Sequence, residues 1–146
     1  MNFFFLIRLL IGLIFVVSGF QKVSTPYQNF LFIIQQYEIV SDSVAIATAR
    51  VLPWIELIVG VFLILGFWLR EVATAAAIMF VMFIVVVSQA LLRGIDLSEC
   101  GCFGELVSMP PQGTLVLDVC LLTMTIWLIL RREKAGWMGL DGKFNK

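Results

Sequence analysis

The chain has 146 residues, 61% of them hydrophobic and 14% charged, with ten basic residues balancing ten acidic ones and no histidine. An apolar share so far above the roughly 45–50% of soluble domains excludes an ordinary soluble globule, and a length sufficient for about four spans of roughly 20 residues excludes a second domain. Zero net charge gives nucleic acid no electrostatic footprint, and without imidazole any chemistry falls to Cys, Asp, Glu or a bound cofactor.

The first predicted span covers residues 3–20, an apolar run interrupted by Arg8, with Gln21 and Lys22 reaching the headgroups. The run has neither a basic start nor an Ala-x-Ala-like exit, so it is expected to be retained as a helix and not cleaved as a signal peptide. Gly12, Ser18 and Gly19 are either a close-packing stripe or small residues of the kind any span contains. Residues 23–43 are mixed in composition, and Phe30, Ile33, Ile34 and Tyr37 recur at i, i+3, i+4, i+7 after the start signal Ser24-Thr25-Pro26. That spacing predicts an amphipathic helix lying in the interface, either as a lid over the bundle end or as a plain surface helix.

A second span is expected over residues 45–69, with Pro53 in its first apolar turns and Glu56 inside it. Arg70-Glu71 is read as a tight turn into a third span, 72–92, which is apolar until Ser88, Gln89 and Arg93. A polar loop, 94–113, carries Cys100 and Cys102, and the fourth span, 114–130, carries Asp118 and Cys120. The fold class is thus an all-α membrane protein: a four-helix transmembrane bundle over residues 1–134 with an interfacial helix in its first outer loop. A short tail, 135–146, follows with Trp137 as an interface anchor.

Basic residues orient the bundle. Arg70, Arg131, Arg132, Lys134, Lys143 and Lys146 outnumber Lys22, Arg50 and Arg93 on the opposite side, so both termini are expected in the cytoplasm and the cysteine loop in the periplasm or cell exterior. Disulfides persist in those compartments. In this orientation Ser18, Gln21, Lys22, Arg50, Glu56, Ser88, Gln89, Arg93, Asp118 and Cys120 all fall toward the outer end. Glu56 and Cys120 lie about 10 Å inside their apolar runs, a depth at which they would share a half-dry pocket beneath the loop.

Cys100-Gly101-Cys102 is the chemical centre of this reading. Two thiols one residue apart close a small strained ring, favourable for exchange and of little use for constraining an unfolded chain. A redox pair is therefore favoured over structural thiols, and no metal is expected because the three cysteines with Asp118 lack the paired spacing of closed zinc sites. Cys120 is either a small buried hydrophobe or a third thiol that resolves or relays. Lys22 and Glu56 read as an ion pair pinning the first two spans or as a proton relay; together with Asp118 and Arg50 they would set the local electrostatics and stabilise thiolates.

Arg8-Leu9-Leu10-Ile11-Gly12 leading to Ser18-Gly19-Phe20-Gln21-Lys22, then Leu52-Pro53-Trp54-Ile55-Glu56-Leu57 with Gly60 and Gly66, then Cys100-Gly101-Cys102-Phe103-Gly104 resemble the MauE branch of the DoxX-like membrane proteins. The resemblance runs from Arg8 to about Leu130 and implies a four-helix inner-membrane protein tied to thiol redox. For MauE itself it implies maturation of the disulfide-rich subunit of periplasmic methylamine dehydrogenase, and for other DoxX-like proteins quinone-linked sulfur oxidation. The architecture is also similar to that of the DsbB and vitamin K epoxide reductase enzymes, which pass electrons from thiols to a quinone through two dithiol pairs. Here there is one pair plus Cys120, which implies a separate periplasmic thiol protein or thioredoxin-like partner. Three functions follow as expectations: a thiol-disulfide redox protein with a quinone as final acceptor, a non-enzymatic assembly factor, or a carrier for a hydrophobic molecule.

Overall fold

The computed structural model describes residues 3–94 and 110–131. They form α1 (Phe3–Ser24), α2 (Tyr27–Gln36), α3 (Asp42–Leu65), α4 (Leu69–Leu92) and α5 (Pro111–Leu130). Among them, α1, α3, α4 and α5 are long and apolar enough to cross a membrane, and the ten-residue α2 is too short to do so. The protein is a multi-pass helical bundle. Cys100, Cys102 and the tail 135–146 lie outside the described residues.

The tightest seam joins α1 to α3, and glycine makes it. A Cβ on Gly60 would stand 2.7 Å from the Val16 nitrogen and 2.8 Å from the Gly12 carbonyl oxygen, and one on Gly19 would stand 2.8 Å from the Leu57 nitrogen. The two backbones touch, as small-residue interfaces in lipid allow. This decides between the two readings of Gly12 and Gly19 in favour of close packing. α4 pairs with α5, and contacts of α3 with α4 and of α1 with α5 close the ring. Ile11, Phe15, Leu63, Ala76, Phe80 and Leu128 fill its centre, where the Phe15 and Phe80 rings meet at 5.1 Å.

Two helix boundaries differ from expectation. α3 stops at Leu65, where Gly66 takes φ 68° and donates its amide hydrogen to the Phe62 and Leu63 carbonyls. The apolar Phe67, Trp68 and Leu69 prolong the hydropathy signal across this turn, so Arg70 and Glu71 are exposed in the first turn of α4 and do not form the turn themselves. At its other end α3 begins already at Asp42, which puts Pro53 in the helix interior instead of its first turns. A span tolerates such a proline when neighbouring groups compensate for the missing amide.

α2 lies across the end of the bundle formed by Ser24, Asp42, Arg93 and Pro110, hereafter the loop end. Phe30 is its buried residue, and Tyr37, just past its end, is buried against Ala90 with Ile33 and Val86. Arg93 Nη1 donates to the Glu38 carbonyl at 3.4 Å and Gln35 Nε2 to Asp42 Oδ1 at 3.2 Å, tying the connector to α4 and α3. Thr25 caps nothing in α2; its hydroxyl donates back to the Gln21 carbonyl at 3.1 Å, finishing α1.

Candidate functional site

Each span turns one stripe inward at alternating steps of three and four residues. On α1 the stripe includes Arg8, Ile11, Phe15, Ser18 and Lys22; on α3 Pro53, Glu56, Gly60 and Leu63; on α5 Thr114, Asp118, Leu121, Thr125 and Leu128. Polar side chains within a span gain from facing protein instead of lipid, and this selects the stripes. At the loop end three of them converge.

Lys22 and Glu56 form the heart of the site. The ammonium stands 2.8 Å from Oε1 and 2.9 Å from Oε2, both side chains are almost wholly buried, and the Ser18 hydroxyl donates to Oε2 at 3.3 Å. The ammonium also lies 4.9 Å from the centre of the Phe30 ring and 5.6 Å from that of Phe83. Two oxygens facing one ammonium, with a hydroxyl completing the shell, are what a buried charge pair needs to offset desolvation. Asp118, fully buried on α5, faces the same place. It lines, with Ser18, Glu56, Ile14, Phe15 and Phe83, a cavity of about 10 Å³, close to the room one water takes up.

Two larger spaces flank the pair. A groove of about 400 Å³ at the loop end is lined by Lys22, Thr25, Tyr27, Arg50, Pro53 and Trp54. An apolar cavity of about 240 Å³ lies under α2, between α3 and α4, with Phe30 and Phe83 in its wall. The ion pair thus stands between a polar opening and an apolar one.

The sequence-derived candidates separate into those the fold gathers and those it does not. Lys22, Glu56 and Asp118 come together, and the ion-pair reading of the first two is what the structure shows. Arg50 is exposed; it sits on the Tyr27 ring at 4.8 Å, donates to its hydroxyl at 3.4 Å, and meets the cluster only along the groove. Cys120 is exposed on the opposite side of α5 from Asp118, so the expectation that it shares a pocket with Glu56 is corrected. Two residues along a helix turn a side chain by about 200°, and matching depth is not matching direction. Among the described residues no group of three His, Cys, Asp or Glu side chains converges as metal ligands would. Sequence reasoning missed Ser18 as a partner of Glu56, and Phe30 and Phe83 as the aromatic seat of Lys22. The i, i+4 step from Ser18 to Lys22 was the available signal for the first.

Comparison with known proteins matches residues 1–131 to the family described as methylamine utilisation protein MauE. The chain is 27% identical over 137 residues to protein TlpB of Flavobacterium psychrophilum, covering 88% of this chain and 36% of that protein. It is 28% identical over 117 residues to methylamine utilization protein MauE of Paracoccus denitrificans, covering 80% of this chain and 62% of that one. The chain therefore spans less than two thirds of the length of these curated relatives. No solved structure matches.

Proposed function

The chain belongs to the MauE family, and from that premise we propose that it is a membrane thiol-disulfide redox protein that oxidises thiols of a protein outside the membrane and passes the electrons to a quinone. The observation that carries the reading is the buried Lys22–Glu56 pair, with Ser18 and Asp118, set under the loop end. The chain that leaves α4 at Gly94 and enters α5 at Pro110 at this end holds Cys100 and Cys102. A buried ion pair is expensive to build in lipid, and an intramembrane ionisable residue is a functional-site hypothesis by default.

The chemistry balances in two steps. A client dithiol exchanges with the Cys100–Cys102 disulfide, leaving the client oxidised and the pair reduced. The reduced pair then gives two electrons and two protons to a quinone, re-forming one S–S bond and producing quinol. Lys22 stabilises the negative charge that develops on sulfur or on a reduced quinone oxygen, while Glu56 and Asp118 are the carboxylates through which protons pass. With Cys120 outside the cluster, the exchanging pair is Cys100 and Cys102, and the client or a thioredoxin-like protein supplies the other dithiol. The family description, methylamine utilisation, supports an enzyme that acts on an amine as the client, and the bias of basic residues supports a place in the inner membrane with cytoplasmic termini and a periplasmic cysteine loop.

The test is thiol trapping of cells that carry the Cys102→Ser variant. Client proteins outside the membrane are expected to accumulate in reduced form, and a mixed disulfide through Cys100 to become isolable. Unchanged client redox state, with growth restored by a variant lacking all three cysteines, would leave an assembly role without redox chemistry.

A further inference from the structure

The loop-end groove holds a cation that the bundle leaves unneutralised. Both Lys22 and Arg50 line it; Lys22 is matched by Glu56, whereas Arg50 pairs with no carboxylate among the described residues. Its guanidinium lies over the Tyr27 ring at 4.8 Å and gives one of its five N–H donors to the Tyr27 hydroxyl at 3.4 Å. A hydroxyl that accepts from Arg50 keeps its own proton to donate. The Thr25 hydroxyl donates back to the Gln21 carbonyl, which leaves Arg50, Tyr27 and the Trp54 indole as donors for a ligand. One uncompensated positive charge on a planar fork of donors fits a singly charged phosphodiester or a carboxylate. The volume of about 400 Å³ lies in the range of small-ligand sites.

What lies below the groove decides between a dissolved anion and an amphiphile. Val51, Trp54, Ile55 and Ile58 are exposed at i, i+3, i+4 and i+7 along α3, an apolar stripe that starts beside Arg50 and runs down the span. Trp54 lies one turn below Arg50 and lines the groove, and an indole, with its apolar body and N–H donor, seats between headgroups and hydrocarbon. From Arg50 to the far end of α3 at Leu65 is about 22 Å of helix, against a hydrocarbon layer of about 30 Å. With the Gly66 turn at the opposite boundary, a snorkelling Arg50 side chain reaches the headgroup phosphates. A dissolved anion would use the donors and leave the stripe idle, whereas a lipid with an anionic head uses both. We propose that the groove binds an anionic glycerophospholipid of the loop-side leaflet, its phosphate on Arg50 and Tyr27, its ester region at Trp54 and an acyl chain along Val51, Ile55 and Ile58. Tyr27 opens α2, Lys22 closes α1 and Arg50 belongs to α3, so one headgroup bridges the three elements that surround the ion pair. A lipid whose head carries its own ammonium brings a like charge to Arg50 and binds less well. The site stands independently of the thiol-oxidation reading.

The experiment uses the full chain in phosphatidylcholine nanodiscs, with Trp54 as sole tryptophan after Trp68, Trp127 and Trp137 are changed to Phe. A rising fraction of either phosphatidylglycerol or phosphatidylcholine carries dibrominated acyl chains, which quench indole fluorescence on contact. Brominated phosphatidylglycerol is expected to reach half of its full quenching at a mole fraction about fivefold lower than brominated phosphatidylcholine, the factor that one basic residue contributes at an anionic surface. Arg50→Gln is expected to abolish the difference while quenching by phosphatidylcholine stays as it was, which shows α3 still in place. Tyr27→Phe keeps the ring beneath Arg50 and removes the hydroxyl; it should reduce the preference at least twofold and serves should Arg50→Gln fail to assemble. Equal quenching by the two lipids, or a preference that survives both substitutions, would overturn the site. Loss of the preference in millimolar glycerol phosphate would assign the groove to a dissolved anion and overturn the lipid as its occupant. Native mass spectrometry of the chain with all its tryptophans in place should show one retained phosphatidylglycerol that Arg50→Gln loses, and retention of none would likewise overturn the site.

Discussion

Removing either half of the Lys22–Glu56 pair should destabilise the protein, and the two halves should differ. Glu56 stands 14 residues into α3, about 21 Å along a helix rising 1.5 Å per residue, and has no route to the surface. Lys22 is two residues from the end of α1 and borders the loop-end groove, so its ammonium can move outward once its partner is gone. Lys22→Met therefore leaves the Glu56 carboxylate facing Ser18 and, across the small cavity, Asp118. That loss is expected to reach about 3–5 kcal/mol, the range for breaking a buried pair, while Glu56→Leu should cost about 1–2 kcal/mol because snorkelling and the Phe30 and Phe83 rings retain the cation. The double variant should be more stable than Lys22→Met alone, with a coupling of about 2–3 kcal/mol. Neutral cross-helix hydrogen bonds in membranes average only about 0.6 kcal/mol, so a coupling of about 2–3 kcal/mol identifies a charge pair. Unfolding by dodecyl sulfate titration in mixed micelles, followed by helical circular dichroism, measures all four species. Additivity within about 0.5 kcal/mol, or Glu56→Leu proving the worse single change, would refute the claim that the pair works as a unit fastening α1 to α3.

Gly60→Ala must push α1 and α3 apart, since the new Cβ meets backbone atoms at 2.7–2.8 Å; a loss of about 1–3 kcal/mol is expected in the same titration. Gly113→Ala, whose Cβ would meet Pro110 alone among the described residues, at 3.7 Å, is its control and should stabilise α5 by a few tenths to about 1 kcal/mol. Cys120→Ser should leave stability within about 0.5 kcal/mol and client oxidation unchanged, because the residue lies on the exposed side of α5; a fall in client oxidation by thiol trapping would restore it to the chemistry. Asp118→Asn keeps the shape of the inward stripe while removing its charge. It is expected to assemble normally and to slow quinone reduction by the pre-reduced protein about tenfold or more, the lower part of the range for a positioned proton-transfer group. Normal rates would make Asp118 a packing residue.

The sequence speaks clearly about depth and poorly about direction. Long apolar runs announce α1, α3, α4 and α5, and the i, i+3, i+4, i+7 pattern from Phe30 to Tyr37 announces α2 as an amphipathic helix too interrupted by polar residues to span. Boundaries fail where hydropathy outruns backbone geometry: Phe67-Trp68-Leu69 are as apolar as the helix before them, and only the positive φ of Gly66 ends it. Polar residues at matching depth suggested one cluster of Lys22, Glu56, Asp118 and Cys120, and three of the four do meet. The fourth illustrates why depth is insufficient. Thr114, Asp118, Leu121, Thr125 and Leu128, spaced four, three, four and three, form the inner face of α5 in the structure, and Cys120 falls outside that set. Residue rise fixes how far down the bundle a side chain lies, and the turn of about 100° per residue fixes which way it looks. Read with both coordinates, α5 brings a carboxylate to the Lys22–Glu56 pair and turns its thiol away. On the thiol-oxidation reading proposed above, the dithiol is therefore the Cys100–Cys102 pair of the segment joining α4 to α5, and α5 itself contributes the carboxylate of Asp118 and no thiol.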